Sequence, residues 1–372
     1  MSTLAADVTL EQLERDPHPV LARLREDEPV AWISALRSWI VTRRDLCLRA
    51  MRDSKTFTVD DPRFSTAQVV GPSMLSLDGA DHARHRDPFA RAYRLDEVRR
   101  RYSQLVVTAT DRLIDRFERD GEAELRRALA GPLAVAVVAG ALGLESTDAP
   151  TVLGWYDAIV DAVTGVNAGR SVADAGRAAF AELSDAVAPA LARLEGPLTR
   201  EERVSNASVI MFGGIETTEG AIANLVLHVL SHPDQRALAR EHLANAVEES
   251  LRLEPSVVVV DRYATRDVEL GGASISRGDM VTISIAAANR DPDFFPEPDR
   301  FDVTRSNARH HVTFAHGPHV CLGMHLARLE ARTALARLLD RLPNLRLDPS
   351  RPAAVRGLVF RKPPELHVLW DT

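Results

Sequence analysis

Four side chains that can bind a soft metal ion lie within ten residues of one another near the carboxyl end of this chain. His316, His319, Cys321 and His325 belong to the segment FAHGPHVCLGMHLARLE, residues 314–330. Cys321 is one of only two cysteines among the 372 residues. These residue types allow three chemistries: a Cys/His zinc site, an activated thiol nucleophile, and a thiolate ligand to heme iron.

The spacing of these residues helps to weigh the three chemistries. Cys321 and His325 at i, i+4 could share a helix face, although zinc sites usually draw ligands from two separated pairs. A thiol nucleophile needs a base and an oxyanion hole, and only His319 is close in sequence. A thiolate at a helix start is stabilised by the helix dipole and by free N–H groups. Gly317 and Gly323 would let the backbone approach the sulfur, which heme ligation explains and zinc does not.

Residues 198–233 carry the pattern of one long helix. Thr199 and Glu202 form a capping box at its start, and Pro233 follows its end. About 32 residues at ~1.5 Å each give roughly 48 Å, so we expect this helix to run through the core.

The centre of this helix is unfavourable for helical structure. Gly213 and Gly214 together cost about 2 kcal/mol relative to alanine. Glu216 and Thr217 then place a carboxyl and a hydroxyl where the helix should be driest. One interpretation is a close helix crossing in which Thr217 bonds back to the carbonyl of Gly213. The other is a flat ligand lying against the helix, with proton donors beside it.

A second helical pattern, AVEESLRLEP, places Glu249 and Arg252 three residues apart on one face. Most such pairs are solvated and contribute little to stability. By itself, this pair therefore gives only weak evidence of a function, and its surroundings decide its role.

The composition is that of a globular enzyme. Hydrophobic residues make up 45% and charged residues 27% of the chain, and the net charge is −7. This charge gives no general attraction to nucleic acid or to an anionic membrane. We find no signal peptide and no stretch apolar enough to span a bilayer, so we expect a cytoplasmic protein. Cys47, in an amphipathic helix pattern, is predicted to be a buried thiol.

The elements that position the candidate residues are mainly helical. Residues 90–195 carry several amphipathic helix patterns, EPVAWIS and SWIVTR indicate a hairpin, and residues 257–285 indicate a small β region. Neither a repeat nor a linker divides the chain. We expect a mainly α fold with small β-sheets, in a single domain over residues 1–372.

Six motifs, in the right order, resemble those of the cytochrome P450 family. GGIETT resembles its oxygen-activating helix motif, and Glu249-x-x-Arg252 resembles its E-x-x-R. PEPDRF supplies Arg300 as the third member of the E-x-x-R network. DRYATRDVEL and DHARHR resemble its two propionate-binding segments. The cysteine loop F-x-x-G-x-H/R-x-C-x-G is matched by Phe314, Gly317, His319, Cys321 and Gly323.

Small departures from the family pattern lie in the cysteine loop. Ala315 stands where glycine is usual, and Pro318 follows Gly317. The chain is also somewhat short for the family. Neither substitution removes a ligand or a hydrogen bond that the sulfur needs.

The resemblance implies the cytochrome P450 fold, with its long central helix across the heme. It implies heme b as cofactor, with an axial thiolate from Cys321, and proton delivery by Glu216 and Thr217 during dioxygen activation. Glu249, Arg252 and Arg300 would be structural. The propionates would be bound by His82, Arg86, Arg262 and His319.

The implied reaction is a monooxygenation of a small organic molecule by O2, as in secondary metabolism. The expected pocket lining is mainly apolar, which suggests a largely apolar substrate. The lining residues are Asn206, Val209, Ile210, Phe212 and Gly213 on the long helix, Val258, Val259 and Val260, and Val359 within residues 358–360.

Two electrons would come from a ferredoxin or flavodoxin with its reductase, and the protein would be a monomer. The basic stretch 84–102 is either an exposed helical face or the docking surface for such an acidic partner. Alternatives that remain open are oxidative coupling, desaturation, nitration or peroxygenation at the same heme, and a non-catalytic heme-binding protein.

Overall fold

The computed structural model describes residues 4–144, 146–167 and 170–372, and helices dominate these ranges. The helices before the long central one are α1 (Leu10–Arg15), α2 (His18–Asp27), α3 (Arg44–Arg52), α4 (Ser65–Val70), α5 (Gly79–Ala90), α6 (Leu95–Ile114), α7 (Gly131–Leu142), α8 (Ala149–Asn167) and α9 (Asp174–Leu191). The central helix and those after it are α10 (Arg200–Ser231), α11 (Pro233–Glu241), α12 (Leu243–Leu253), α13 (Ile285–Ala288) and α14 (Met324–Arg341).

The strands are short and form three small sheets. They are β1 (Val30–Ile33), β2 (Ser38–Val41), β3 (Phe57–Thr58), β4 (Glu122–Glu124), β5 (Val259–Ala264), β6 (Val268–Leu270), β7 (Ala273–Ile275), β8 (Met280–Ser284), β9 (Arg346–Leu347) and β10 (His367–Leu369). The largest sheet has the order β1-β2-β8-β5-β3, and the others are β4-β10-β9 and β6-β7. The mainly α architecture with small sheets is confirmed.

The largest sheet contains the predicted hairpin. Strands β1 and β2 pair antiparallel with Trp32 opposite Trp39, and β2 runs parallel to β8. Strand β5 pairs antiparallel with β8. Because side chains alternate along a strand, Val260 and Arg262 share one face of β5, while Val259 and Asp261 share the other.

Helix α10 begins with the predicted capping box of Thr199 and Glu202 and extends for 32 residues. Every residue from 220 to 230 is buried, so this half of the helix lies inside the core. The helix packs against α7, α9, α12 and α14. Its uniform burial there explains why apolar residues surround it rather than forming a single stripe.

The two central glycines of α10 have different surroundings. A Cβ on Gly214 would come within 2.5 Å of Val138 on α7, so this glycine permits a close helix crossing. A Cβ on Gly213 would have no neighbour within 4 Å. The hydroxyl of Thr217 donates to the carbonyl of Gly213 at 2.6 Å. The crossing interpretation therefore explains Gly214, whereas Gly213 faces open space.

The predicted buried thiol is confirmed: Cys47 lies in α3 and has no exposed surface. None of the helices within the described ranges is long and apolar enough to cross a membrane.

Candidate functional site

Cys321 lies in the loop that joins a short 3-10 turn, Gly317–His319, to α14. Its amide donates to the carbonyl of Phe314 at 2.8 Å, which closes the loop. Gly317 has φ 76°, and a Cβ there would lie 2.6 Å from the carbonyl oxygen of Met51. Only glycine satisfies both conditions, so this residue lets the loop pack directly on α3.

Ala315 also has a left-handed backbone, with φ 57°. An L-residue with a side chain is disfavoured in this region, which explains why glycine is usual at this position in the family. The substitution leaves the loop closed but strained.

Cys321 is exposed, although many protein atoms surround its thiol. It therefore borders an open space inside the protein. Burial raises the pKa of the thiol, while a hydrogen bond from the Gly323 amide and the charges of Arg86 and Arg328 oppose that effect. A metal cation in the space would provide the charge that a thiolate needs.

Two buried basic side chains beside this loop, His82 and Arg262, have no ion-pair partner among the described residues, although the pairing of buried charges is the rule. His82 is 5% exposed, and its Nε2 has no hydrogen-bond partner among the described residues. Burial, together with the charges of His319 and Arg86, lowers the pKa of His82 to about 4. Arg262 is also 5% exposed, and no described carboxylate lies within ion-pair distance of it. Arg86 donates to the carbonyl of Val320 at 2.7 Å.

His319 joins this group. Its ring centroid lies 4.4 Å from that of His82, and its Nε2 lies 2.8 Å from a carboxylate oxygen of Asp78. The structure thus brings together the predicted propionate-binding residues around the cysteine loop. Buried Arg262, which has no carboxylate partner among the described residues, and the orphaned ring nitrogen of His82 fit a cofactor that carries carboxylates and a metal, as heme does.

The three histidines near Cys321 do not converge on its sulfur. His316 accepts from the Gly317 amide at 2.8 Å and from Arg52 at 3.2 Å. His319 is held by Asp78, and His325 lines a cleft beside α14. In the described ranges, no three His, Cys, Asp or Glu side chains are grouped to hold a metal ion. The geometry gives the zinc hypothesis no support.

The Glu249–Arg252 pair on α12 is completely buried. Arg252 binds both carboxylate oxygens of Glu249, at 2.7 and 2.8 Å. Burial lowers the pKa of Arg252, and the hydrogen bond and charge of Glu249 oppose that effect. A bidentate pair without water has a fixed geometry, so it fixes the backbone around it.

The prediction that Arg300 is the third member of this network is wrong. Its side chain is 58% exposed and lies 3.4 Å from Glu297, and only its backbone carbonyl accepts from Arg252, at 3.1 Å. The third member is Arg305, whose Nε lies 2.9 Å from Glu249. Sequence reasoning missed Arg305 because both arginines follow the same Pro-rich turn, and spacing does not show which side chain turns inward.

The carboxyl and hydroxyl at the centre of α10 both have partners in the structure. Glu216 lies 2.8 Å from the ammonium of Lys362 and accepts from the hydroxyl of Tyr156 at 3.0 Å. Burial and the negative charge of Glu216 raise the pKa of Tyr156, so its hydroxyl stays a neutral donor. No sequence motif indicated Tyr156 or Lys362, which come from distant parts of the chain.

Part of the predicted pocket lining lies together. Val209, Ile210 and Phe212 are half-buried on α10, next to exposed Gly213. The ring of Phe212 lies 5.9 Å from that of Phe360. Val260 packs in the same apolar cluster as Met51 and Ala315, close to the cysteine loop.

Asn206 does not line an open space, contrary to the prediction. It is completely buried, and its side-chain amide donates to the carbonyl of Glu202 at 2.7 Å and contacts His85 at 2.9 Å. Its side-chain oxygen accepts from the amide of Met74 at 2.8 Å. Asn206 therefore links α10 to the segment before α5.

Val258, Val259 and Val359 are also placed differently from the prediction. They line a separate cavity of about 90 Å³ against α1, α2 and the β1–β2 hairpin, on the face of β5 that carries Asp261. A strand exposes alternate faces, and the sequence does not show which face meets the long helix.

A second cleft, of about 130 Å³, lies between α6, α12 and α14. We name it the arginine cleft; its cationic lining is Arg99, Arg328 and Arg332, and His325 and Glu248 also line it. Arg328 binds Glu248 at 2.6 and 2.9 Å, and its guanidinium lies 4.4 Å above the ring of Phe314. The cleft thus lies directly behind the cysteine loop.

Comparisons with known proteins agree with this geometry. A family model described as Cytochrome P450 matches residues 240–364. The vitamin D(3) 25-hydroxylase of Pseudonocardia autotrophica is 34% identical over 367 residues, covering 90% of this chain and 88% of that protein.

Solved structures match the whole fold. The crystal structure of CalO2 has a TM-score of 0.86 at 32% identity and covers 96% of both chains. P450BioI, solved in complex with an acyl carrier protein ligated to hexadec-9Z-enoic acid, also has a TM-score of 0.86, at 30% identity, and covers 97% of this chain and 100% of that one. With its cysteine loop, its buried E-x-x-R pair and these relatives, the chain belongs to the cytochrome P450 family of heme-thiolate monooxygenases.

Proposed function

We propose that this protein, acting as a single domain, hydroxylates or otherwise monooxygenates a largely apolar small molecule, with electrons from an acidic ferredoxin-type partner. The observation that carries the proposal is the arrangement around Cys321. An accessible thiol borders an open space, Arg86 and the contacting rings of His82 and His319 lie beside its loop, and buried Arg262 has no carboxylate partner among the described residues. Heme bound in such a site supplies the activation of dioxygen once electrons are delivered.

The residues of this chain hold that cofactor and set its electronics. Cys321 is the proposed axial ligand, and the Gly323 amide donates to its sulfur, which tunes electron donation to a metal. Arg86, Arg262, His82 and His319 would bind the propionates by charge-assisted hydrogen bonds. The orphaned Nε2 of His82, in the tautomer that carries its proton there, is a donor that such a carboxylate would accept.

Proton handling is assigned to Glu216 and Thr217 on α10. The hydroxyl of Thr217 lies beside the open space at Gly213, and the carboxyl of Glu216 is its neighbour in sequence. A hydroxyl with a carboxyl behind it can accept a proton and pass it to a reacting oxygen. Half-buried Val209, Ile210 and Phe212 make the neighbouring surface apolar, which favours an apolar substrate and excludes bulk water.

The first test is the absorption spectrum of the purified protein, reduced and exposed to carbon monoxide. We expect the strongly red-shifted Soret band of thiolate-ligated heme, and we expect Cys321→Ser to lose that band. Cys47→Ser is the matched control and should leave the band unchanged, because this thiol is completely buried in α3, where it contacts the carbonyl of Val41 at 3.3 Å. A protein that binds no heme after heme-supplemented expression would refute the proposal.

The electron donor is proposed to dock at the arginine cleft. Arg99 lines the cleft, whereas Arg100 and Arg101 both pair with Glu97 on the surface of α6. The cleft lies behind the cysteine loop, and its positive charge would steer an acidic partner to that side.

A charge reversal tests this docking site. Arg99→Glu should slow reduction by an acidic ferredoxin roughly tenfold at low salt, because it opposes electrostatic steering. Arg100→Glu is the matched control on the same helix and should have a smaller effect. Stopped-flow reduction rates that are equal for both variants and the wild type would rule out the cleft.

A further inference from the structure

Lys362 stands out in this chain because lysine is rare in it. Only Lys55 and Lys362 are lysines among 46 basic residues, so nearly every cation is an arginine. A guanidinium is a planar fork that suits one carboxylate, whereas an ammonium is a compact charge with three donors. The cation that faces Glu216 is thus an ammonium, whose three donors can reach two carboxylates at once, as the guanidinium of Arg351 also does in this protein.

The geometry shows such a bridge. The Nζ of Lys362 lies 2.8 Å from Glu216 and 2.6 Å from Glu219, one helical turn further along α10. Arg126 contacts the other oxygen of Glu219 at 2.7 Å. The side chains of Glu216, Glu219 and Lys362 are 20%, 12% and 13% exposed. Two anions and two cations balance, which makes their burial tolerable.

Both carboxylate oxygens of Glu216 are occupied in this arrangement. Lys362 takes one, and the hydroxyl of Tyr156 donates to the other at 3.0 Å. Each oxygen thus has one partner, and turning the carboxylate toward another group would break at least one of these two contacts. In the structure, the contacts with Lys362 and Tyr156 therefore hold the carboxylate of Glu216 in one position.

The segment that carries Lys362 also borders the apolar surface of α10. The ring of Phe360, two residues before Lys362, lies 5.9 Å from that of Phe212, and Phe212 lies 6.3 Å from Tyr156. A Cβ on Gly220 would lie 3.6 Å from the Cβ of Lys362, so the segment packs directly on the helix. Phe360, at the apolar surface, and Lys362, at Glu216, are thus carried by one short segment that packs on α10.

We propose that Lys362 is a positioning residue that, with Tyr156, holds Glu216 at rest, and that a ligand displacing Phe360 releases it. The inference rests on the proposed proton-handling role of Glu216. In this proposal, the segment that carries Phe360 and Lys362 links the binding of a pocket ligand to the position of the Glu216 carboxylate.

The rarity of lysine allows a direct test by NMR. Labelling lysine ammonium groups with an NMR-active nitrogen isotope gives signals from two side chains, and Lys362→Arg identifies one of them. We expect the Lys362 signal to persist at neutral pH, because a shielded, ion-paired ammonium exchanges protons slowly with water. Glu216→Gln should shift this signal or speed its exchange. An unchanged signal in Glu216→Gln would overturn the proposal without any reference to heme or turnover.

The release step is tested with phenylimidazole as the pocket ligand, its saturation verified by the heme absorption spectrum. We expect saturation to shift or broaden the Lys362 signal and to leave that of exposed Lys55 unchanged. The response should be lost in Phe360→Ala and in Glu216→Gln, and kept in Glu219→Gln, where Glu216 is intact. A Lys362 signal that does not change when the wild type is saturated with phenylimidazole would refute the release of Glu216.

Turnover gives an independent measure. In Lys362→Met we expect the fraction of electrons recovered in product, rather than in peroxide, to fall several-fold with little change in KM. Lys362→Arg should restore part of it, since it keeps the charge. Failure of the proposed function would show as the absence of thiolate-ligated heme, whereas failure of this inference would leave that heme in place and coupling equal in all variants.

Discussion

At the scale of single residues, the buried cluster on α12 depends on which arginine reaches Glu249. Arg252 and Arg305 both bind this carboxylate, and the amide of Asp302 donates to it at 3.0 Å. Removing one cation from such a cluster leaves a buried carboxylate incompletely paired, which destabilises a protein by about 3–5 kcal/mol. Arg300 contributes only its carbonyl, which any residue supplies.

This difference gives a matched pair of substitutions. Arg305→Met should lower the free energy of unfolding by about 3 kcal/mol, because it removes one of the charges that compensate Glu249. Arg300→Ala should change it by less than about 0.5 kcal/mol, as exposed residues usually do. Urea unfolding measures both. Equal losses in the two variants would contradict the assignment of Arg305.

At the scale of the element, the surroundings of α10 differ along its length. Its last turns are buried on every side, Gly214 lies at the crossing with α7, and Gly213 faces open space. The two glycines have the same helix propensity but opposite surroundings. Substitution of Gly214 should therefore affect mainly stability, and substitution of Gly213 should also affect ligand binding.

Alanine at each glycine tests this division. Gly214→Ala should destabilise the protein by about 1–3 kcal/mol, because its Cβ would overlap Val138 at 2.5 Å. Gly213→Ala should stabilise the ligand-free protein by up to about 1 kcal/mol through helix propensity. It should at the same time weaken binding of a pocket ligand such as phenylimidazole, since its methyl group fills part of the open space. Thermal unfolding and ligand titration measure the two effects, and a stabilised Gly214→Ala would contradict the crossing.

At the scale of the whole molecule, Glu254 joins distant parts of the chain. It follows α12, and its carboxylate lies 2.8 Å from His18 near the N-terminus and 3.0 Å from Arg361 near the C-terminus. Burial acts to raise the pKa of Glu254, but the hydrogen bond from His18 and the charges of His18, Arg361 and Arg290 outweigh it and lower the pKa to about 2. The charged form of Glu254 therefore stabilises the folded protein.

The pH dependence of stability follows from the sign of this shift. Because the pKa in the folded protein is below its ordinary value of 4.5, the stabilisation is complete above pH 4.5 and is lost as the pH falls towards 2. The lost free energy is on the order of 3 kcal/mol. Glu254→Gln should flatten the dependence of the unfolding free energy on pH in this window, and Glu195→Gln, at an exposed position, should not. The same steepness in wild type and Glu254→Gln would contradict the role of Glu254.

Local patterns in the sequence were sufficient for much of the fold and for the centre of the site. The capping box of Thr199 and Glu202 marks the start of α10, and the pattern around Cys321 marks the heme-binding loop, because both consist of residues close in sequence. The Glu249–Arg252 pair is local for the same reason: an i, i+3 spacing on a helix puts the two side chains on one face.

What the sequence alone determined is therefore the set of local structures and the chemistry that their residues allow. Only the tertiary structure decided which distant side chains meet them: Arg305 rather than Arg300 at Glu249, and Lys362 with Tyr156 at Glu216. It also decided that Val258, Val259 and Val359 line another cavity. These contacts depend on which face of a strand or turn points inward, and packing between elements sets that choice rather than the spacing of residues along the chain.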